Sequence, residues 1–371
     1  MDAVLSTHPM RLESPVGAEI VLEGRKYINF GGSSYLGLSG KPEILEAGVT
    51  ALRATGAGYV IPRFCAVVSG AHEEVEAEAA AFFGTQAALY LASGYATGLA
   101  AISALKGSFQ LILYDKLSHY ALRDASAASG LPCYGFEHSD PESLADELKR
   151  RVGAGQRPLI VTDGLFSVWG EIARVGELAA VAERYDGHLF VDESHSFGIL
   201  GRHGRGVREY WRLEDYTRVT SGGSLGKAFG CSGGIILGSA DHIARLRSTP
   251  IGLGASSGSP VNAALCARAL AYARRTPSLL LHLRHNTIRM KSGLRRLGLH
   301  VGTDEVPIAA FQRNSADSTR QLQQRLMSHG IFVLCAQYVG TDATGVIRCG
   351  IFADHTPEHI DFFLDALRSL L

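Results

Sequence analysis

One stretch, Leu189 to Phe229, brings together an acid, an imidazole and a primary amine. It opens on LFVDESHSFG and closes on VTSGGSLGKAFG. An apolar run ends in Asp192, with His195 three positions on. A second short run gives way to a Gly/Ser-rich turn carrying Ser224 and Lys227. Apolar runs that release polar residues at their C-terminal ends are how an open α/β sheet builds a ligand site. A carboxylate, an imidazole and an amine at such ends suit a cofactor with a basic ring nitrogen, a phenol-like oxygen and an aldehyde, which describes pyridoxal phosphate (PLP). In that chemistry Lys227 forms a resting Schiff base, and Asp192 keeps the ring nitrogen protonated. His195 turns to the ring oxygen, and Ser224 is a phosphate donor. Each residue taken singly has a plainer reading. Asp192 could be a helix N-cap, His195 a satisfied buried histidine and Lys227 a solvated loop lysine.

The surrounding pattern supplies the elements that would position these groups. AALYLASGYATGLAAISAL (residues 87–105) reads as strand, turn and helix. Ser93, Gly94 and Tyr95 sit in its turn, where backbone N–H groups and the helix dipole attract phosphate. FQLILYDKLSHYALRDASAASG (109–130) repeats the pattern with His119 just past the loop, a place from which an aromatic ring can stack on a pyridine face. RPLIVTDGLFSVWGEIA (157–173) carries Asp163 and Ser167 beyond its strand, and VGELAAVAERYDG is an amphipathic helix feeding the strand HLFVDES. Four or five strands alternating with helices predict a mostly parallel sheet.

The flanks read differently. AEIVLEGRKYINFGGSSYLGLSG predicts a hairpin, Ile20–Leu22 with Lys26–Phe30, and then a Gly/Ser loop holding Ser33 and Tyr35. An amphipathic helix over 41–57 follows. Next comes AHEEVEAEAAAFFG, with Val75, Ala79, Phe82 and Phe83 facing inward and His72 as a surface or capping residue. Past the centre, a Ser-rich turn with Ser256 and Ser257 precedes a long helix interrupted at Pro277. VPIAAFQ, GIFVLCAQ and GVIRCGIFA then read as three strands, with helices over 317–329 and 357–371, a small α+β module. The expected organisation is an N-terminal hairpin segment (1–44), a large cofactor-binding domain (45–270), and a long helix with a C-terminal small domain (271–371).

Composition narrows the class. The 371 residues are 46% hydrophobic and 19% charged, ordinary for a globular chain with room for a large core and a second domain. Lys+Arg and Asp+Glu are both 36, so no global basic field favours nucleic acid or an anionic membrane. Six scattered cysteines without a CxxC indicate neither a zinc site nor a disulfide framework. The opening MDAVLSTHPMRLESP lacks a basic region followed by an apolar run, and no stretch approaches about 20 apolar residues. A cytoplasmic chain without a membrane span is expected.

The motifs SYLGLSG, SGYATG, DKLSHYAL, VTDGLFSVWGEIA, VDESHSFGILGRHGRG and SLGKAFGCSGG occur in this order. In them, from about Gly24 to the C-terminus, the chain resembles the α-oxoamine synthases. These are fold-type-I PLP enzymes that join an amino acid to an acyl thioester with loss of CO₂. The resemblance implies an α/β fold with a mostly parallel, seven-stranded-type sheet and a smaller C-terminal α+β domain. It implies Lys227 as Schiff-base lysine and later acid/base, His119 stacked on the ring, Asp192 on the ring nitrogen and His195 on the ring oxygen. Ser167 would lie near the ring oxygen or the product, and Ser93, Gly94, Tyr95 and Ser224 would hold the phosphate. Ser256 and Ser257 would reach the phosphate from the other subunit of a homodimer, and Arg348 would bind the amino-acid carboxylate. Ser33 stands where the family usually has Asn, beside Tyr35 and near that carboxylate. The amino acid, and delivery of the acyl group by CoA or by a carrier protein, stay open. So do another fold-type-I reaction, such as amino transfer or aldolase-type cleavage, and a non-catalytic partner subunit, although retention of Lys227 argues against the last. A nicotinamide enzyme is disfavoured, because no GxGxxG follows an early strand with an acid about 20 residues on.

Overall fold

The computed structural model describes residues 9–214, 217–254 and 257–371. The chain begins with the expected hairpin, β1 (Glu19–Leu22) and β2 (Arg25–Asn29), turning at Glu23–Gly24 with both residues at positive φ. Helices α1 (Pro42–Thr55) and α2 (Gly70–Phe83) follow. Then comes the alternation β3 (Ala87–Leu91), α3 (Ala96–Leu105), β4 (Leu111–Asp115), α4 (Tyr120–Ala128), β5 (Cys133–Phe136) and α5 (Pro141–Arg151). It continues through β6 (Pro158–Asp163), α6 (Val175–Glu183), β7 (His188–Asp192), the short α7 (Val207–Tyr210), β8 (Val219–Ser224) and β9 (Gly234–Gly238). Helices α8 (Ala240–Arg247), α9 (Pro250–Gly254), α10 (Pro260–Arg275) and α11 (Ser278–Arg296) come next, the last two separated at Pro277 as the sequence predicts. The C-terminal part runs β10 (Ile308–Phe311), α12 (Ala316–Ser328), β11 (Ile331–Phe332), β12 (Leu334–Ala336), β13 (Val346–Gly350) and α13 (Pro357–Leu370).

The chain divides into two compact units. The large unit spans Pro42–Phe166 and Ile172–Thr276. Its sheet has seven strands in the order β3-β9-β8-β7-β6-β4-β5. The β8-β7-β6-β4-β5 stretch is parallel, and β9 pairs antiparallel with both β8 and β3. β6 and β7 have no exposed position, as expected of strands covered on both faces. Leu89, Ile112, Val161, Phe190 and Ile236 of the sheet pack with Ala101 and Ile102 of α3. Two elements here escape the periodicity reading. Strand β5 (CYGF) is an edge strand with mostly half-buried positions, and α5 is strongly charged. His72, expected as a surface or capping side chain, is buried rather than on the surface and sits against the cap of α2. Its Nδ1 lies 2.7 Å from Oγ of Ser69, the N-cap of α2.

The small unit comprises the chain up to Lys41, Ser167–Glu171 and Pro277–Leu371. Its core gathers Phe30, Met290, Leu294, Phe311, Ile347, Ile360 and Phe363 around α11 and α13. GIFVLCAQ is two strands where one was expected. β11 pairs parallel with β2, and β12 pairs antiparallel with β13, so the chain changes sheets at Val333, which is fully buried. A single apolar run can serve two sheets in this way because burial on either side demands the same residue types. No helix among the described residues is long and apolar enough to cross a membrane.

Candidate active site

The C-terminal ends of β6, β7 and β8 meet the N-terminus of α3 around a cavity of about 260 Å³, entirely within the large unit. Its lining includes Ser93, Gly94, Tyr95, His119, Asp192, His195, Ser224 and Lys227. Eight of the residues singled out from sequence are therefore one constellation. Asp192 closes β7 at 5% exposure, and its Oδ1 accepts from the backbone N–H of Ser194 at 2.8 Å. The Ser194 hydroxyl in turn accepts from the backbone N–H of Ser224 at 2.8 Å. These two bonds tie the end of β7 to the end of β8.

Beneath this loop Glu193 is fully buried, with burial raising its carboxyl above the ordinary range. It accepts from Ser196 Oγ (2.7 Å), Ser221 Oγ (2.8 Å) and the backbone N–H of Val207 (2.7 Å). A buried carboxyl with three donors is a fixed anchor for the turn that carries His195.

His119 is the N-cap of α4, half-buried, and its Nδ1 accepts from the backbone N–H of Ala121 at 3.0 Å. That bond fixes the orientation of the ring and leaves the proton on Nε2. Burial lowers its pKa. The Lys227 ammonium acts the same way, while Asp192 and Asp124 oppose it. The ring is therefore neutral and positioned to offer a face. Its backbone N–H donates to Asp163 Oδ2 at 2.9 Å.

Asp163 is the principal residue that sequence reasoning leaves without a role. It lines the cavity and pairs directly with Asp192 across β6 and β7. Burial, and then the charge of Asp192, push its carboxyl well above the usual range. Two carboxylates at one level of a buried sheet do not both ionise, and here Asp163 is the one that keeps its proton. Ser194, the link between the two strand ends, is likewise missed. Spacing along the chain says nothing of strand register, which is the signal that would have found both.

The cavity fits PLP on its own geometry. A Cβ on Gly94 would lie 2.4 Å from the Ser224 Cβ, and one on Gly223 would lie 2.6 Å from the Ser194 N. Only residues without side chains let the α3 turn and the end of β8 close into a cup. That cup has the positive end of a ten-residue helix on one side and a serine hydroxyl on the other, the donor set of a phosphate site. The buried Asp192, an acid for a ring N–H⁺, and Lys227 line the same cavity.

The remaining predicted residues fall elsewhere. Ser257 is buried within its own chain and outside the cavity lining, and Ser256 lies outside the described residues. Ser167, Arg348, Ser33 and Tyr35 belong to the small unit. There Arg348, at 5% exposure, donates from Nε to the Ser167 carbonyl (2.6 Å), from Nη1 to the Gly32 carbonyl (2.9 Å) and from Nη2 to the Tyr35 hydroxyl (3.1 Å). The half-buried Ser33 follows directly, its carbonyl accepting from the Tyr35 N–H at 2.8 Å. All three Arg348 partners are neutral.

The whole chain carries relatives of known kind. Residues 25–367 match the aminotransferase class I and II family. The chain is 33% identical over 362 residues to the 8-amino-7-oxononanoate synthase of Fervidobacterium nodosum, covering 95% of this chain and 91% of that protein. This chain belongs to the α-oxoamine synthases. Its fold superposes on the serine palmitoyltransferase of Sphingomonas wittichii with a TM-score of 0.91 at 28% identity, covering 97% of this chain and 91% of that one. A further serine palmitoyltransferase structure, solved with PLP, gives 0.91 at 27% identity over 98% and 92% of the two chains. The synthase is a PLP-dependent acyltransferase of fold type I.

The Asp163–Asp192 pair makes a pH prediction. A carboxyl whose folded pKa is raised binds a proton in the folded state that the unfolded chain has already released, so stability falls as pH rises past the ordinary Asp range. Asp163→Asn mimics the protonated form. It should remove that decline in thermal melts taken from pH 5 to 8 while retaining PLP. Asp192→Asn should lose PLP. A wild-type decline unchanged in Asp163→Asn contradicts the assignment.

Proposed function

We propose that this synthase condenses an amino acid with an acyl thioester, acyl-CoA being the donor, and releases CO₂ and the thiol to leave an α-amino ketone. The observation that carries this reading is the grouping of Lys227, Asp192, His195 and His119 in one cavity with a phosphate cup. The named relatives add the acyl-transfer chemistry. When bound, PLP supplies an electron sink for a carbanion at the amino-acid Cα. The chain's own residues do the rest. Lys227 holds the cofactor until substrate arrives, then takes the α-proton on its amine and later returns a proton to the same carbon. Asp192 keeps its negative charge against the ring nitrogen, a pairing that its burial demands. Asp163, protonated, adds no second charge there. His119 offers its neutral ring face, and His195 turns to the ring oxygen. Bond making balances without an oxidant: the Cα–acyl bond forms as the thiol leaves, and the Cα–carboxyl bond breaks as CO₂ departs.

Arg348 is assigned to the substrate carboxylate. A buried guanidinium held by neutral oxygens alone, with no carboxylate in ion-pair range among the described residues, keeps an unmatched positive charge. An incoming carboxylate supplies the missing partner, with charge-assisted bonds of about 1.5–3 kcal/mol. Ser33, beside this group, bears on which amino acid is accepted, and Ser167 on the ring oxygen or product.

A second copy of this chain is assigned as partner. Val60, Phe64, Val67 and Val68 are exposed at 92%, 65%, 45% and 48%, an apolar run too dense for a surface left in water.

The test is stoichiometric. With PLP-loaded protein, one of glycine, L-alanine or L-serine together with an acyl-CoA should release thiol and CO₂ in equal amounts. Amino transfer to a 2-oxo acid without thiol release contradicts the reading. Arg348→Lys should raise the KM for the amino acid about 10- to 100-fold with the KM for acyl-CoA little changed. In sedimentation velocity the wild type should run as a dimer and Phe64→Glu as a monomer. A monomeric wild type removes the partner assignment.

A further inference from the structure

A second cavity, of about 820 Å³, lies in the large unit at the opposite end of the same strands. β7 is five residues long, so its two ends stand about 13 Å apart. Asp192, at one end, lines the cofactor cavity, and His188, at the other, lines this one. Thr220 near the start of β8 and Gly238 at the end of β9 continue the wall. Nothing in the reaction described above uses it.

The wall is basic. Arg157, Arg208, Arg218 and Arg245 line it, against one acid among the described lining residues, Glu214. Asp186 bridges two of the guanidiniums, Oδ2 to Arg157 Nε at 2.7 Å and Oδ1 to Arg218 Nη2 at 2.5 Å, so that pair keeps one positive charge in excess. Arg208 folds onto the carbonyls of Leu213 and Glu214. Arg245, on the exposed face of helix α8, has no side-chain partner among the described residues. Guanidiniums with more charge than the carboxylates around them, facing a common space, form an anion site.

The imidazoles add a second, independent observation. His188 Nε2 lies 2.8 Å from Thr220 Oγ1. His242, in the same wall, is 8% exposed, and its Nε2 is buried with no hydrogen-bond partner. Burial, reinforced by the surrounding arginines, lowers His188 to about 3 and His242 to about 4, so both rings are neutral at neutral pH. A neutral imidazole with an unused ring nitrogen is a polar group lacking its ligand. Phe109 and Leu105 give the cavity an apolar floor, with Phe109 beside both Arg157 and His188. A volume of this size suits a small organic molecule rather than a bare ion.

We propose that this cavity binds a small phosphorylated metabolite, with its phosphate on Arg218 and Arg245, a hydrogen bond to His242 Nε2, and its organic part over Phe109 and Leu105. Phosphate is favoured over a lone carboxylate because donors reach the space from three separate places, Arg218 in the turn before β8, Arg245 and His242 on α8, and Arg157 in the loop before β6. A tetrahedral group with three free oxygens can accept from all of them.

The test uses holoenzyme saturated with PLP, so that the cofactor's phosphate cup is filled. Calorimetric titration with adenosine 5′-monophosphate, and separately with inorganic pyrophosphate, should give one saturable site per chain that excess PLP does not displace. Arg245→Ala, a change at an exposed position of α8, should weaken that binding about tenfold. Arg218→Lys, which keeps charge but loses the fork, should weaken it as well. Histidine-labelled protein should show the His242 Nε2 resonance moving along the same titration curve. No saturable heat with either probe overturns the proposal. So does binding that is undiminished in both arginine variants or that leaves His242 unmoved.

Discussion

Two carboxyl groups end adjacent central strands at one level of the sheet, and only one of them can carry its charge there. That constraint organises the active cavity. Asp163 and Asp192 are register partners on β6 and β7, both nearly sealed from water. Burial, and then the charge of Asp192, raise the Asp163 carboxyl well above its ordinary range, so a proton stays on Asp163. The protonated partner is not idle, since it accepts the backbone N–H of His119 and so helps set the imidazole that lines the cavity. An ionised Asp192 then has one natural complement, a protonated ring nitrogen, which is what the chemistry of the cofactor requires. The same charge acts on His119, in opposition to burial and Lys227, so the three ionisable side chains are mutually adjusted.

Close backbone approach is what makes this electrostatic arrangement compact. Gly94 and Gly223 remove the side chains that would hold the α3 turn, the end of β8 and the Asp192–Ser194 turn apart. Gly206, at φ +97°, makes room in the same way for the Glu193 carboxyl that anchors this turn from below. Parallel strands place all their C-terminal ends on one side, so the catalytic groups gather there. The opposite ends of the same strands are left to a different chemistry, the arginines and neutral histidines of the second cavity. In the small unit a buried guanidinium is presented through neutral oxygens, and Gly350 permits it. A Cβ there would meet the Gly32 carbonyl at 2.5 Å, the carbonyl to which Arg348 donates.

What could be read from the sequence follows from what the signals measure. Apolar runs that end in polar residues mark β6 and β7 and the groups at their tips, because burial on both faces leaves an unbroken pattern, whereas β8 (VTSGGS) takes in the Gly/Ser stretch up to Ser224 that reads as a turn. Order along the chain brought out the phosphate turn, His119, Asp192, His195 and Lys227, and the structure collects them in one cavity. Asp163 was seen but given no role, since its significance lies in register with Asp192. The family resemblance puts Ser167 near the ring oxygen or the product, whereas the bond the structure shows is from Arg348 to its carbonyl, which any residue could provide. Strand β5 went unread because an edge strand lacks the buried run. GIFVLCAQ reads as one strand because a change of sheet at a buried valine leaves no mark on hydrophobicity. The basic cavity was invisible for a related reason. Its arginines are spread from 157 to 245 and look, one by one, like solvated surface.

The measurement that bears most directly on the central claim is where the cofactor attaches. Purified protein incubated with PLP, reduced with borohydride and digested should yield one modified peptide, with the phosphopyridoxyl mass on Lys227 and no label in a Lys227→Ala variant. Label on another lysine, or none at all in wild-type protein that is folded by circular dichroism, would contradict the account.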